Sequence, residues 1–139
     1  MTRSAKPRLV PLTSPFTSID DALDDYRAGK MVIVQDDEDR ENEGDLILAA
    51  ESCTAEDVAF LRRWASGVIC VPMTGERLDE LTIPQMVERN EARLGTAFTV
   101  SVDAREGITT GISAGDRART IRAGRLSRAR HRHPSPPMG

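Results

Sequence analysis

The stretch Gln35-Asp36-Asp37-Glu38-Asp39-Arg40-Glu41-Asn42-Glu43-Gly44-Asp45 places seven carboxylates and one guanidinium within eleven residues. Met31-Val32-Ile33-Val34 precedes it and Leu46-Ile47-Leu48-Ala49-Ala50 follows it. Both runs have strand length and strand composition, so the sequence predicts an acidic loop held between two buried strands rather than a free tail. Like charges held at fixed places repel, and a bound cation offsets that repulsion. The segment is therefore the first candidate for chemistry. A solvated acidic turn is the plain alternative.

Outward from this loop, the spacing of Ile19, Ala22, Leu23 and Tyr26 predicts a helix capped by Ser18 and ended by Gly29. Strands are expected at Met31–Gln35 and Asp45–Ala50. Thr54 caps a second helix with Val58, Leu61 and Ala65 facing the core, and Gly67 closes it. Val68-Ile69-Cys70-Val71 reads as a strand stopped by Pro72, and Leu78 with Leu81 as a short helix. From Ala97 to Asp103 the period-two alternation predicts a half-buried strand. Strands and helices alternate without a regular βαβ repeat, so the expected class is α+β, a mixed sheet with helices packed on it.

The 139 residues suit one domain with a core of its own. The net charge of −3 hides an asymmetry: residues 1–116 hold all 22 acids against 12 bases, and residues 117–139 hold seven arginines and no acid. The acidic body argues against a nucleic-acid partner, although the basic end taken alone argues the other way. Cys53 and Cys70 stand in no metal or redox spacing. Met1 to Phe16 lacks the apolar core of a signal peptide and no run reaches membrane-spanning length. The expected setting is a cytoplasmic protein with two reduced thiols and no membrane partner. Pro7, Pro11 and Pro15 make residues 1–15 a flexible lead. Residues 123–139 contain one large aliphatic side chain, Leu126, and read as a disordered Arg/Pro-rich tail.

Alternate residues of an extended chain point the same way, so Glu41, Glu43 and Asp45 are expected to converge. A dense set of oxygen ligands favours magnesium or manganese over zinc. Arg40 either neutralises its neighbours or binds a phosphate that shares the metal. An EF-hand calcium loop is excluded on spacing: with Asp39 first, Gly44 takes the sixth position but Ala50 the twelfth, where a Glu is required. The second candidate is Gly107-Ile108-Thr109-Thr110-Gly111-Ile112-Ser113-Ala114-Gly115-Asp116, which leads into a helix. Its Ser113 and Asp116 have capping-box spacing, and a helix start of this kind either receives an anion or is an ordinary capped turn. Cys70 reads by default as a buried thiol filling space. His131 and His133, in the arginine-rich end, carry no assigned role.

Asp36 to Asp45, followed by Ser66-Gly67-Val68-Ile69-Cys70, Gly95-Thr96-Ala97-Phe98-Thr99-Val100 and Gly107 to Ala114, resembles 3,4-dihydroxy-2-butanone 4-phosphate synthase. That enzyme of riboflavin biosynthesis occurs alone or fused to GTP cyclohydrolase II. The resemblance runs from about Phe16 to about Arg122, so the expected domain is 16–122. It implies a carbon–carbon lyase that converts D-ribulose 5-phosphate to 3,4-dihydroxy-2-butanone 4-phosphate and formate with magnesium (or manganese), as a homodimer. Carried over by position, Glu41 ligates the metal and contacts substrate, and Arg40 and Asp45 hold the sugar phosphate. Glu43, Asp45 and Cys70 fall at catalytic positions, and Thr110 at a substrate-binding one. The family's later Arg-Pro-Gly-His and Arg-x-Gly-His-Thr-Glu-Ala segments do not occur in these 139 residues. The change of composition after Arg122 is what a shifted reading frame in GC-rich DNA would give. The resemblance therefore also implies a shortened member, for which binding of a divalent ion or sugar phosphate without catalysis is the alternative function.

Overall fold

Ser18 opens the first helix. Its backbone is extended and its hydroxyl accepts from the Asp21 N–H at 3.1 Å, which satisfies one of the donors a helix start leaves free. The computed structural model describes residues 16–65 and 67–123, and in it α1 spans Ile19–Arg27. The expected flexible lead at 1–15 and the tail from 124 onward, with His131 and His133, lie outside the described residues, as does Ser66. Ala123, expected to open the tail, is instead the last residue of a helix.

After α1 come β1 (Val32–Gln35) and β2 (Gly44–Ile47), paired antiparallel with Val32 opposite Ile47 and Gln35 opposite Gly44. A short 3₁₀ turn at Ala50–Ser52 leads to α2 (Ala55–Trp64). Thr54 and Asp57 form a complete capping box there: the Thr54 N–H donates to the Asp57 carboxylate at 2.9 Å, and the Asp57 N–H donates to the Thr54 hydroxyl at 3.2 Å. Thr74 caps the short α3 (Gly75–Leu81), and α4 (Ala114–Ala123) ends the described chain. No helix among the described residues is long and apolar enough to cross a membrane.

The core forms where α2 packs on α4. Val58 is fully buried there, next to Cys53 and Ala118, with Leu48, Ile69, Ala114 and Ile121 packed around them. Leu61 is half-buried as expected of its spacing, but Ala65 is exposed.

The α+β class holds. The sheet was expected to be mixed, and among the described residues it is a single antiparallel pair. Neither Val68–Val71 nor Ala97–Asp103 forms a strand. The second segment makes one antiparallel bridge, Thr99 to Gln85, flanked by hydrogen bonds from the Met86 N–H to the Phe98 carbonyl and from the Val100 N–H to the Pro84 carbonyl. Proline has no N–H, so a ladder cannot continue through Pro84 in the usual pattern. Val68 lies 85% exposed, with no strand beside it among the described residues.

The two strands around the acidic loop are not buried either. Ile33 and Val34 are exposed and no residue of β1 or β2 is fully covered. A two-stranded ribbon has two faces, and among the described residues α1 packs against β1. Cys70, expected as buried filler, is exposed, and its thiol donates to the Val68 carbonyl at 3.6 Å. The buried thiol is Cys53, whose burial raises its pKa.

The narrow core makes a sharp contrast testable. Val58→Ala is expected to destabilise the chain by about 1.5–3 kcal/mol. Val68→Ala should stay within about 0.5 kcal/mol of the parent. Urea midpoints of the two variants check this, and equal midpoints would disprove the placement of the core.

Candidate functional site

The acidic loop is built by one of its own carboxylates. Asp36 follows β1 directly and is the part of the loop most withdrawn from solvent, its side chain 21% exposed. One oxygen accepts the Glu43 N–H at 2.9 Å. The other accepts the Glu41 N–H at 3.1 Å and the Arg40 guanidinium at 2.8 Å. The Asp36 N–H returns a bond to the Glu43 carbonyl at 3.3 Å, and Arg40 closes a tight turn by donating its N–H to the Asp37 carbonyl at 3.0 Å. These contacts hold the Asp36 carboxyl below the usual carboxylate range, the Glu43 N–H contributing most, against an opposing effect of burial. Asp36 therefore stays ionised as part of the scaffold and is not poised to exchange protons.

Asn42 stands between Glu41 and Glu43 at φ 52°, in the left-handed region, and its side chain accepts from the Gln35 amide at 3.2 Å. That residue breaks the extended alternation on which convergence of Glu41, Glu43 and Asp45 was predicted. Among the described residues no group of three or more His, Cys, Asp or Glu side chains forms a metal-holding cluster. Glu41 lies in the turn, Glu43 at its end and Asp45 in β2 opposite Val34, all exposed. Arg40 lies 3.6 Å from the Glu41 carboxylate as well as bonded to Asp36. A guanidinium carries five N–H donors in a flat fork, so one held by Asp36 keeps donors for an anion. The loop therefore presents an oriented cation beside an exposed hard-oxygen ligand.

The second candidate is also organised by a carboxylate. Ser113 caps α4 through the Asp116 N–H at 3.0 Å, as the spacing predicted. The Asp116 side chain does not complete the capping box. It turns back to accept the Thr109 hydroxyl at 2.7 Å, the Thr109 N–H at 3.1 Å and the Gly111 N–H at 3.1 Å. The Thr109 hydroxyl is the largest cause holding Asp116 below the usual carboxylate range. Thr110, between the two anchored residues, is exposed.

Cys70 lies in the exposed segment after α2 and Thr110 in the loop before α4. No hydrogen bond or ion pair among the described residues ties either to the β1–β2 loop. Asp36 and Asp116 were not singled out by the sequence as organisers. The available signal was an aspartate immediately after an apolar strand, five and seven residues from the N–H groups it accepts.

The sequence model of the family described as 3,4-dihydroxy-2-butanone 4-phosphate synthase matches residues 20–134. The chain is 57% identical over 108 residues to the enzyme of that name from Pseudomonas aeruginosa, covering 78% of this chain and 30% of the relative. It is 64% identical over 107 residues to riboflavin biosynthesis protein RibBA of Nocardia farcinica, covering 77% of this chain and 26% of that one. With the 3,4-dihydroxy-2-butanone 4-phosphate synthase of Schizosaccharomyces pombe it shares 60% over 107 residues, 77% of this chain and 52% of the relative. A crystal structure of a 3,4-dihydroxy-2-butanone 4-phosphate synthase in complex with two magnesium ions superposes with a TM-score of 0.76 at 52% identity, covering 78% of this chain and 51% of the other. The matched part thus spans between about a quarter and a half of these relatives. With the acidic loop, the Thr109–Gly111 turn and these likenesses together, the chain belongs to the 3,4-dihydroxy-2-butanone 4-phosphate synthase family.

Proposed function

We propose that the β1–β2 loop is the sugar-phosphate and metal-binding part of a 3,4-dihydroxy-2-butanone 4-phosphate synthase, a carbon–carbon lyase that takes D-ribulose 5-phosphate to 3,4-dihydroxy-2-butanone 4-phosphate and formate. The observation that carries this reading is the fixed pairing of Arg40 with an exposed Glu41 on an Asp36-built turn. Arg40 and Asp45 grip the sugar phosphate, Arg40 by its free donors and Asp45 by accepting hydroxyl protons. Glu43 and Asp45 are exposed carboxylates suited to moving protons, whereas Asp36 is not. Cys70 and Thr110 complete the pocket from the other two segments.

Glu41 is the residue that would hold a divalent ion. Magnesium fits a site with one carboxylate, since it keeps several waters and takes further oxygens from substrate. Manganese fits the same donors. When bound, the ion supplies Lewis-acid stabilisation of the charge that develops beside the substrate carbonyl. The organisation we infer is a cytoplasmic homodimer. The family-like domain is proposed to run from residue 16 through α4, which takes in Ala123, between a lead at 1–15 and a tail after it.

A second reading, binding of the ion and sugar phosphate without turnover, is favoured by one observation. The chain matches only between about a quarter and a half of the length of the enzymes it resembles. Formate release and binding separate the two. Turnover predicts magnesium-dependent formate release from ribulose 5-phosphate, abolished by EDTA and by Glu41→Ala. Binding alone predicts calorimetric heats with magnesium and ribulose 5-phosphate but no formate. Under either, Arg40→Ala should weaken ribulose 5-phosphate binding by about 10- to 100-fold. A chain that binds neither sinks both readings.

The loop has a further test. Because the folded Asp36 carboxyl lies below its ordinary range, its contribution is complete above that range and is lost as the pH falls through the lowered value. Protection of the Glu41 and Glu43 amides, taken relative to their intrinsic exchange at each pH, should persist at neutral pH and be lost only in strong acid. In Asp36→Asn their exchange should be about tenfold faster already at neutral pH. Unchanged exchange in the variant would contradict the role given to Asp36.

A further inference from the structure

Asp116 is the one buried charged side chain among the described residues, 7% exposed. A helix cap does not require its carboxylate, since the Ser113 hydroxyl already caps α4 by accepting the Asp116 N–H. The carboxylate also reaches back five and seven residues, taking three bonds from Thr109 and Gly111 besides the Ser113 hydroxyl beside it. Those bonds straddle Thr110 and leave it exposed.

Other contacts hold the same loop to the same helix. The Arg117 guanidinium donates to the Ile112 carbonyl at 3.0 Å, and that of Arg119 to the Glu106 carbonyl at 3.1 Å. Gly111 sits at φ 81°, and a Cβ there would come within 2.6 Å of the Asp103 carboxylate, so only glycine lets that segment lie so close. α4 is itself fixed to the core, since Ala118, two residues beyond Asp116, packs beside Val58 of α2. The loop is thereby referenced to the buried core.

We propose that Asp116 is a positioning residue for substrate: it fixes the Thr109–Gly111 backbone so that Thr110 is presented to ribulose 5-phosphate in one conformation. This rests on the functional reading above. Holding a contact group in its bound geometry before the ligand arrives removes an ordering cost from binding, which is a reason to bury an aspartate in the first turn of a helix against a surface loop.

The test uses the full chain, with ribulose 5-phosphate and magnesium as the titrants. Asp116→Asn keeps the shape but replaces one acceptor oxygen by a donor. It is expected to weaken ribulose 5-phosphate binding by about 10- to 100-fold. It should also speed exchange of the Thr109 and Gly111 amides about tenfold, while the Val58 and Ala118 amides stay protected. Thr110→Ala should weaken binding comparably, and the double variant should bind no worse than the weaker single, because Asp116 acts through Thr110. Thr109→Val, which removes only the hydroxyl bond, should shift binding and exchange the same way by a smaller factor, and decides the matter if Asp116→Asn does not fold. Additive losses in the double variant would overturn the proposal. So would wild-type affinity in Asp116→Asn, or exchange that rises equally in loop and core. If the parent chain itself shows no binding, the functional reading fails and this proposal with it. If the parent binds and the variant matches it, only the proposal fails.

Discussion

Val58 shows no surface to solvent, and the described chain hangs on the place it fills between α2 and α4. A core that narrow supplies limited hydrophobic stabilisation, and directional polar links extend its reach. Arg122 donates to the Cys53 carbonyl, joining the end of α4 to the turn before α2. The Thr120 hydroxyl accepts the Ala104 N–H at 3.0 Å, and Arg119 and Arg117 hold carbonyls further along the same segment. α4 thus touches apolar core on one side and ties down an irregular chain on the other.

Three aspartates do similar work at different places. Asp57 completes the cap of α2, Asp36 gathers the turn between β1 and β2, and Asp116 gathers the turn before α4. Each accepts backbone N–H groups that would otherwise lack partners, and charge-assisted bonds of this type are stronger than neutral ones. In the acidic stretch this divides the labour. Asp36 is consumed in construction, while Glu41, Glu43 and Asp45 stay exposed. Charge density alone does not show this division.

What was legible in the sequence was what is decided locally. Ser18, Thr54 and Ser113 cap helices where their spacing said, because a cap needs only residues three positions apart. The two strands beside the acidic loop were legible because two apolar runs enclose a polar segment, whereas their antiparallel pairing and exposure were not. Val68–Val71 and Ala97–Asp103 failed as strands because a strand requires a partner, which local alternation does not supply. The convergence of Glu41, Glu43 and Asp45 failed at Asn42, whose left-handed backbone no alternation rule anticipates. Cys70 was misplaced for the same reason as its segment: without a neighbouring strand, an apolar run does not become interior.

The β1–β2 turn is locked in length as well as in composition. Asp36 must reach the N–H groups of Glu41 and Glu43 while Gln35 stays opposite Gly44. Adding or removing one residue between them would slide those donors past the carboxylate and invert the facing of everything in β2. A chain that keeps this geometry therefore does not tolerate insertions or deletions within the turn. A gap opened there in an alignment would mark a turn of different construction.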